Sequence, residues 1–336
     1  MSYIAIRKIK GKRYYYLEES IKQENKWVKE SVYIGPKLPN NEELAKIFEK
    51  FREGLTKKGI HSILPPFTEF LTRNMAIKID NAIGNRASFL KSLTATQKIE
   101  FIERERITFI TDSNAIEGST LDYGLTERVL ADQKRIEKLQ KQGKMITGMG
   151  REEQEALNLN KCLDMYEILI KHKKDLSSEI ILRFHCILLS KIDGYEKYCG
   201  VWRPVEVRIR GSDHVFPHHK EVPQLMEALL VWYHENKRLI HPAELSAMFH
   251  TKFTTIHPFA DGNGRMARLL MNYILQINSF PFTNIPLKKR AGYMKTQAAG
   301  NVGNYKPFTL FLAKEIVNQN VRPKRPDIPH NEHNTL

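Results

Sequence analysis

Residues 257–268 have the sequence HPFADGNGRMAR, in which a histidine and an aspartate four positions apart precede a glycine-flanked turn and two arginines. Gly262, Asn263 and Gly264 tolerate positive backbone φ angles, so consecutive N–H groups of this turn can converge on one anion. The residues that follow, MARLLMNYILQIN, have apolar side chains at helical spacing. The turn is therefore predicted to lie at a helix N-terminus, where the helix dipole also favours negative charge.

The side chains around this turn are those that phosphate chemistry requires. Arg265 and Arg268 are three residues apart, so they share one helix face and can bind different oxygens of one polyphosphate. Asp261 is a candidate Mg²⁺ ligand, because Mg²⁺ takes few protein carboxylates beside substrate phosphates. His257 has an ordinary pKa of about 6.5, which suits removal of a hydroxyl proton near neutral pH. The pattern indicates nucleotidyl or phosphoryl transfer.

The same stretch resembles the signature of the Fic family, His-x-Phe-x-Asp/Glu-Gly-Asn-Gly-Arg-x-x-Arg, at every fixed position. The resemblance covers about residues 100–320 and implies transfer of AMP from Mg²⁺-bound ATP to a Ser, Thr or Tyr hydroxyl of a target protein, with self-modification as one outcome. It assigns the general base to His257 and the Mg²⁺ ligand to Asp261. It places the α- and β-phosphates on Gly262, Asn263 and Gly264, and the β- and γ-phosphates on Arg265 and Arg268. A lysine in place of the second glycine marks relatives that transfer phosphate, and Gly264 argues against that alternative.

Two other interpretations of this stretch are weaker. Gly262, Gly264 and Ala267 match the dinucleotide pattern G-x-G-x-x-A, but that pattern requires a preceding strand, and residues 241–253 have helical spacing instead. His250 and His257 lack a third metal ligand at a suitable spacing, so His250 is predicted to be structural.

A second motif, SNAIEG, occupies residues 113–118. By itself it is typical of a helix that ends at Gly118. Beside a Fic signature it resembles the inhibitory motif of that family, which gives Ser113, Glu117 and Gly118 a regulatory role and pairs Glu117 with Arg268. A carboxylate on Arg268 would stand where the γ-phosphate must bind, which predicts low basal activity. Whether Glu117 also supports removal of AMP is left open.

Residues 205–219, VEVRIRGSDHVFPHH, alternate apolar and polar side chains around a turn at Gly211, which predicts a β-hairpin. The segment resembles the Fic flap, whose exposed strand edge pairs with the main chain of the target. The flap residues predicted to dock the target are Val207, Ile209, Gly211, Val215 and Phe216. His214, His218 and His219 show no cysteine or carboxylate partner in the pattern, so no metal site is predicted there.

The resemblance also implies two residues of a nucleoside pocket, Tyr293 and Asn301. An asparagine side chain suits a sugar hydroxyl or an adenine edge. The alternative for Asn301, a loop residue near Gly300 and Gly303, is nearly as well supported by its surroundings.

The composition bounds the class of protein. The 336 residues carry a formal net charge of +15 and are 41% hydrophobic. The charge makes nucleic-acid binding an alternative function, but the basic residues are scattered rather than clustered. The N-terminus has no signal-peptide pattern and no apolar run reaches membrane length, so a cytoplasmic protein without membrane contact is expected. Cys162, Cys186 and Cys199 form no recognisable disulfide framework or zinc pattern.

The predicted fold is mainly α-helical, with a small N-terminal antiparallel β module. The expected divisions are a β-meander over residues 1–36, a helical linker region over 37–95, a catalytic domain over 96–320 and a disordered tail over 321–336. Within the linker and catalytic regions, helices are predicted at about 67–83 and 96–110. The oligomeric state is left open, with a homodimer as one alternative. The aromatic residues of the meander suit either cross-strand packing, which is favoured, or stacking on nucleic-acid bases. They are Tyr14, Tyr15, Tyr16, Trp27 and Tyr33.

Overall fold

The computed structural model describes residues 2–23, 26–57, 68–141, 150–208 and 214–320. These residues form a mainly helical protein with one small sheet, as the sequence predicts. The strands are β1 (Ser2–Ile9), β2 (Lys12–Gln23) and β3 (Lys26–Gly35). The α-helices are α1 (Asn41–Lys57), α2 (Arg73–Ser92), α3 (Ala95–Ile116), α4 (Tyr123–Lys141), α5 (Arg151–Lys171), α6 (Ser178–Leu189), α7 (Val222–Asn236), α8 (Pro242–Ile256), α9 (Asn263–Ile277), α10 (Arg290–Asn301) and α11 (Lys306–Asn320).

The N-terminal sheet has the order β1-β2-β3, with antiparallel pairing throughout. Its aromatic side chains pack across strands: the Tyr16 and Tyr33 ring centroids are 5.3 Å apart, and the Arg7 guanidinium lies 4.2 Å above the Tyr16 ring. On the other face, Leu17 is buried against Leu44 and Phe48 of α1. These contacts support cross-strand packing, the interpretation favoured for the tyrosines, whereas the Trp27 side chain lies outside the described residues.

The main core is built around α8 and α9. The apolar sides of these two helices pack against α5, α6 and α7, and α3 contributes Phe109 and Ile110 to the same cluster. A second cluster joins α2, α10 and α11 to the opposite side of α8 and α9. Burial of so many apolar side chains on both sides fixes the turn between α8 and α9, residues 257–262, in the middle of the fold.

Helix boundaries differ from the predicted ones in two places that bear on the site. Helix α2 extends to Ser92, and α3 extends to Ile116 rather than ending near residue 110. The N-terminus of α3 is held by a capping box between Thr94 and Gln97, which the spacing of those residues permits. The additional turn at the C-terminus brings Ser113 and Glu117 onto one continuous element.

The cysteine prediction was wrong, because the structure pairs Cys186 with Cys199 as a disulfide. Their separation of 13 residues matches no short motif. Gly200, with φ of 66°, turns the chain back onto α6, and a Cβ there would lie 3.0 Å from the Leu182 carbonyl oxygen. This close approach sets the second cysteine beside the first. Cys162 is buried and unpaired.

Some predictions fall on residues outside the described ranges. They include Ile209 and Gly211 of the hairpin and the whole of the segment 321–336. Among the described residues, none of the helices combines the length and apolar character needed to cross a membrane.

Candidate active site

The predicted turn connects the end of α8 to the start of α9. His257 ends α8 in the left-handed conformation, with φ of 53°, and Gly262 precedes α9 with φ of 79°. The Asn263 side chain closes the loop, because its amide donates to the Phe259 carbonyl at 2.8 Å and its Oδ1 accepts from the Phe259 N–H at 2.9 Å. Asn263 therefore shapes the loop with its side chain and leaves its backbone N–H for a ligand.

The first N–H groups of α9 have no acceptor within the helix, as at any helix N-terminus. Met266 is the first whose N–H bonds back to the turn, to the Gly262 carbonyl at 2.9 Å. The nest is therefore formed by the N–H groups of Asn263, Gly264 and Arg265. A Cβ at position 264 would collide with Glu117 Oε1, so glycine is required for an acidic group to reach the helix end.

His257 is oriented by its own helix. Its Nδ1 lies 3.3 Å from the Thr254 carbonyl oxygen, which accepts a hydrogen bond and so places the ring proton on Nδ1. The lone pair is then on Nε2. Burial lowers the pKa of His257 to about 4, so the ring is neutral at physiological pH. This is the protonation state that a general base requires.

Arg203 holds the backbone of that histidine, a role that the sequence did not reveal. The fully buried guanidinium donates to the carbonyl oxygens of His257, at 2.8 Å, and of Val205, at 3.0 Å, and also to that of Pro217. Its backbone N–H donates to the Pro258 carbonyl at 2.8 Å. Arg203 thereby links the backbone of His257 to the backbone on both sides of residues 207–216.

His185 of α6 supports the other end of the turn and was also missed. Its Nε2 lies 3.1 Å from the Asp261 carbonyl oxygen, and its Nδ1 accepts from the Gly200 N–H at 3.2 Å. Its ring stacks on Phe259 at 3.6 Å. In the sequence, His185 is a lone histidine on an apolar helix face, which could have marked it as functional. The sequence does not indicate which groups it contacts.

Both arginines of the motif are buried, with side-chain exposures of 3% for Arg265 and 1% for Arg268. Arg265 Nη1 lies 3.3 Å from Glu155 Oε2 and Nη2 lies 3.6 Å from Asp261 Oδ2, but these ion pairs lack hydrogen-bond geometry, and Nε has no hydrogen-bond partner among the described residues. Buried donors without acceptors are costly, so this arrangement is suited to an anionic ligand.

The structure contains the predicted contact between Glu117 and Arg268. Arg268 Nη2 donates to Glu117 Oε1 at 2.8 Å, while Nε and Nη2 donate to the hydroxyl and carbonyl oxygens of Ser113 at 2.9 and 2.8 Å. Burial alone would raise the pKa of Glu117, but the charge and hydrogen bond of Arg268 together with the charges of Arg265 and His257 outweigh it, and the pKa is lowered. The carboxylate is thus ionised and lies over Gly264.

The end of α3 is fixed from the far side as well. Arg290 Nε donates to the Ile116 carbonyl at 2.8 Å, and Asp112 Oδ1 accepts from the Leu287 N–H at 3.0 Å. Gly118 follows with φ of 110°, so it also ends the helix, as the alternative interpretation of the motif predicted.

Asp261 has the geometry of a single exposed ligand. Its Oδ1 accepts from the Gly262 N–H at 2.7 Å, its Oδ2 lies 3.4 Å from Arg151 Nη2, and its side chain is 29% exposed. One accessible carboxylate beside an anion site fits Mg²⁺, which retains several waters and uses one or two protein carboxylates.

The predicted nucleoside residues are placed differently from each other. Tyr293 is only 2% exposed, and its hydroxyl is 2.9 Å from His250 Nε2. Its ring packs against Phe308 and Phe311 of α11 in the second core, and its hydroxyl interacts with Arg268. Its role in a nucleoside pocket stays a prediction. His250 is structural, as expected. Asn301 Oδ1 accepts from the Thr255 hydroxyl at 3.3 Å, beside the end of α8.

The described parts of the predicted hairpin, residues 204–208 and 214–218, contain no strand. The in-and-out alternation is nevertheless present: Val215 is 86% exposed, whereas Phe216 is buried and its ring lies 4.2 Å from that of His257. Among the described residues of this segment, the carbonyl groups of Val205 and Pro217 both accept hydrogen bonds from the Arg203 side chain. The hairpin itself remains a prediction.

Three buried histidines couple stability to pH. Burial lowers the pKa of His185, His241 and His257 to about 4, against about 6.5 in an unfolded chain. The unfolded state therefore binds more protons between pH 6.5 and 4, so stability is complete above pH 6.5 and falls toward pH 4. Each difference corresponds to at most about 3 kcal/mol.

We expect the urea midpoint to fall progressively between pH 7 and pH 5. His241→Asn is the matched control, because asparagine can also accept the Ala243 N–H that His241 Nδ1 accepts at 3.2 Å, but does not titrate. This variant should show a smaller loss over the same range. An unchanged midpoint in the original chain would contradict the burial of neutral histidines.

The fold and the site together define a helical domain with an anion-binding helix N-terminus beside a neutral histidine. Residues 175–275 match the family described as Fic/DOC, so the chain contains a Fic/DOC domain. The match includes the whole turn from His257 to Arg268.

The similar proteins carry the same family name. The chain is 33% identical over 207 residues to protein adenylyltransferase Fic of Nematostella vectensis, covering 61% of this chain and 45% of that protein. It is 31% identical over 253 residues to protein adenylyltransferase fic-1 of Caenorhabditis elegans, covering 74% of this chain and 46% of that protein. The chain thus spans about half the length of the curated relatives it matches.

Solved structures agree on the fold. Fic-1 (residues 134–508) from C. elegans superposes with a TM-score of 0.60 at 26% identity, covering 74% of this chain and 71% of that one. A Fic family protein from Desulfovibrio desulfuricans G20 gives a TM-score of 0.58 at 27% identity, covering 76% and 74%.

Proposed function

We propose that this protein is a protein adenylyltransferase, which transfers AMP from ATP to a Ser, Thr or Tyr hydroxyl of a target protein, and that Glu117 inhibits it. The observation that carries the proposal is the buried Arg265 guanidinium next to the N-terminus of α9, whose Nε has no hydrogen-bond partner among the described residues. The names of the similar proteins supply the choice of AMP as the transferred group.

The proposed reaction assigns one role to each group. His257 Nε2 accepts the proton of the attacking hydroxyl as its oxygen bonds to the α-phosphorus of ATP, and the bond from that phosphorus to the bridging oxygen breaks, releasing pyrophosphate. The N–H groups of Asn263, Gly264 and Arg265 bind phosphate oxygens, and the two guanidinium groups stabilise the charge on the leaving group. Asp261 would hold Mg²⁺, which supplies further charge neutralisation when bound.

The proposed inhibition follows from the position of Glu117. Its carboxylate holds Arg268 at 2.8 Å and covers Gly264, the places assigned to the terminal phosphates. Two negative groups cannot share this site without strong repulsion, so ATP must displace Glu117 or bind out of alignment.

Labelled ATP tests the identity of the transferred group. We expect protein to acquire label from ATP labelled at the α-phosphorus and none from ATP labelled at the γ-phosphorus, since pyrophosphate leaves with the γ label. The Glu117→Gly variant is used to raise the signal, with Glu117→Gly/His257→Ala as the control that removes the base. Label from the γ position alone would refute AMP transfer in favour of phosphate transfer on the same fold.

A further inference from the structure

A cluster of two histidines and a glutamate lies close to the candidate active site without belonging to it. Glu206 and the adjacent pair His218 and His219 are brought together although twelve positions separate the glutamate from the first histidine. One ligand atom from each of the three lies within 4.8 Å of the others. The sequence pattern around the histidines showed no carboxylate partner, but in the folded chain the Glu206 carboxylate lies beside them.

The contacts within the cluster converge on one oxygen. Glu206 Oε1 is 2.8 Å from His219 Nδ1 and 3.4 Å from His218 Nε2. It also accepts from the His219 N–H at 3.2 Å. The other oxygen, Oε2, is 3.6 Å from Arg203 Nη1. The carboxylate is therefore held from behind by a buried arginine while Oε1 faces both imidazoles.

These separations suit a tetrahedral ion. Ligands at about 2.0–2.2 Å from Zn²⁺ lie about 3.3–3.6 Å from each other at the tetrahedral angle. The His218 to Glu206 distance already has this value, and the His219 to Glu206 distance must open by roughly half an ångström to reach the same tetrahedral spacing. The centroids of the two imidazole rings are 4.3 Å apart, and the ring planes are tilted by 33° from each other.

We propose that Glu206, His218 and His219 form a binding site for a divalent transition-metal ion, Zn²⁺, separate from the Mg²⁺ ligand Asp261. Two imidazole nitrogens and one carboxylate oxygen are the donor set that Zn²⁺ uses with an open fourth position. Mg²⁺ prefers an all-oxygen octahedron and is not expected to bind. Because Glu206 and His218 are about half exposed, the fourth position is open to water.

Binding has one identifiable cost. His218 Nδ1 accepts from the Lys220 N–H at 3.3 Å in the metal-free chain. Coordination through Nε2 of a neutral ring leaves the proton on Nδ1, so this long hydrogen bond is given up. His219 coordinates through Nδ1 and keeps Nε2–H toward solvent, which breaks no other contact of that ring among the described residues apart from its bond to Glu206.

The test is a titration of the full chain with Zn²⁺ against a chromophoric chelator, in excess Mg²⁺. We expect a zinc-binding event that His218→Ala/His219→Ala abolishes and that Glu206→Gln weakens at least tenfold. With Co²⁺ as the probe, the visible absorption bands of tetrahedral coordination should appear and disappear with the same variants. Added Zn²⁺ should raise the melting temperature of the original chain but not that of His218→Ala/His219→Ala.

Two controls remove histidines elsewhere. His234 pairs with Asp175 at 3.3 Å, but Lys237 also binds that carboxylate and no second imidazole among the described residues joins them, so His234→Ala should leave zinc binding unchanged. His330→Ala/His333→Ala tests the histidines of the C-terminal segment. Full affinity in the His218→Ala/His219→Ala variant, or loss of the same event in either control, would overturn the proposal.

Discussion

Replacement of His257 by alanine should lower the rate of AMP transfer by about 10²–10⁴-fold, the usual contribution of a positioned general base. The imidazole is the group whose Nε2 is free, because Nδ1 is directed at the Thr254 carbonyl oxygen 3.3 Å away. The variant should still bind ATP, since the phosphate contacts come from α9. The rate is measured with labelled ATP in the Glu117→Gly background, and nucleotide affinity by calorimetry.

The same residue predicts the pH dependence. With its pKa lowered to about 4, His257 is neutral and active throughout the range from pH 8 to about pH 5, and the rate falls only when protonation begins below that. An ordinary histidine would lose activity already near pH 6.5. His234→Ala, which removes an exposed imidazole, is the matched control for rate. Loss of ATP affinity equal to the loss of rate would show that His257 acts through the fold instead.

Glu117→Gly should raise the rate of transfer by about ten- to hundredfold. A charge-assisted hydrogen bond is worth roughly 1.5–3 kcal/mol, and the substitution frees Arg268 to bond the terminal phosphate. It also removes a negative charge from the space above Gly264. We expect most of the increase in rate to come from tighter binding of ATP, which is measured as a lower KM. Transfer is quantified with α-labelled ATP.

Glycine near a helix end also loosens the helix, so a matched control is needed. Glu100→Gly makes the same change at an exposed position of α3, far from Arg268, and should leave the rate unchanged. Glu117→Gln, which keeps the acceptor and loses the charge, should give an intermediate gain. If the rate of AMP transfer by Glu117→Gly were no higher than that of the original chain, the proposal that Glu117 inhibits the enzyme would be contradicted.

The sequence was most informative where function depends on adjacent residues. A glycine-flanked turn before an apolar helical repeat predicts an anion site on local grounds, and the structure has that turn between α8 and α9. The 151-residue separation between Glu117 and Arg268 has no local signal, and the contact was predicted only through resemblance to a family. The physical pattern of the residues thus predicted the anion-binding turn, and the resemblance to a family predicted the contact between Glu117 and Arg268.

The supporting contacts could not be predicted because their acceptors are backbone carbonyls. Arg203 bonds the carbonyl of a residue 54 positions away, and His185 the carbonyl of one 76 positions away. Every residue has a carbonyl group, so the sequence does not mark which one will accept. The hydrogen bond between Tyr293 and His250 could not be predicted for a related reason: an aromatic ring with a hydroxyl is equally suited to a pocket wall and to a buried hydrogen bond.

Helix α3 has a consequence for how such an enzyme could be switched on. Phe109 and Ile110, one turn before Ser113, are fully buried in the main core, so the element cannot detach without unfolding the domain. The Glu117 side chain, in contrast, is 38% exposed. Glu117 is the last residue before the chain turns at Gly118. Under the proposed inhibition, we expect activation to require only rotation of the Glu117 side chain, on the timescale of rotamer exchange rather than of domain opening.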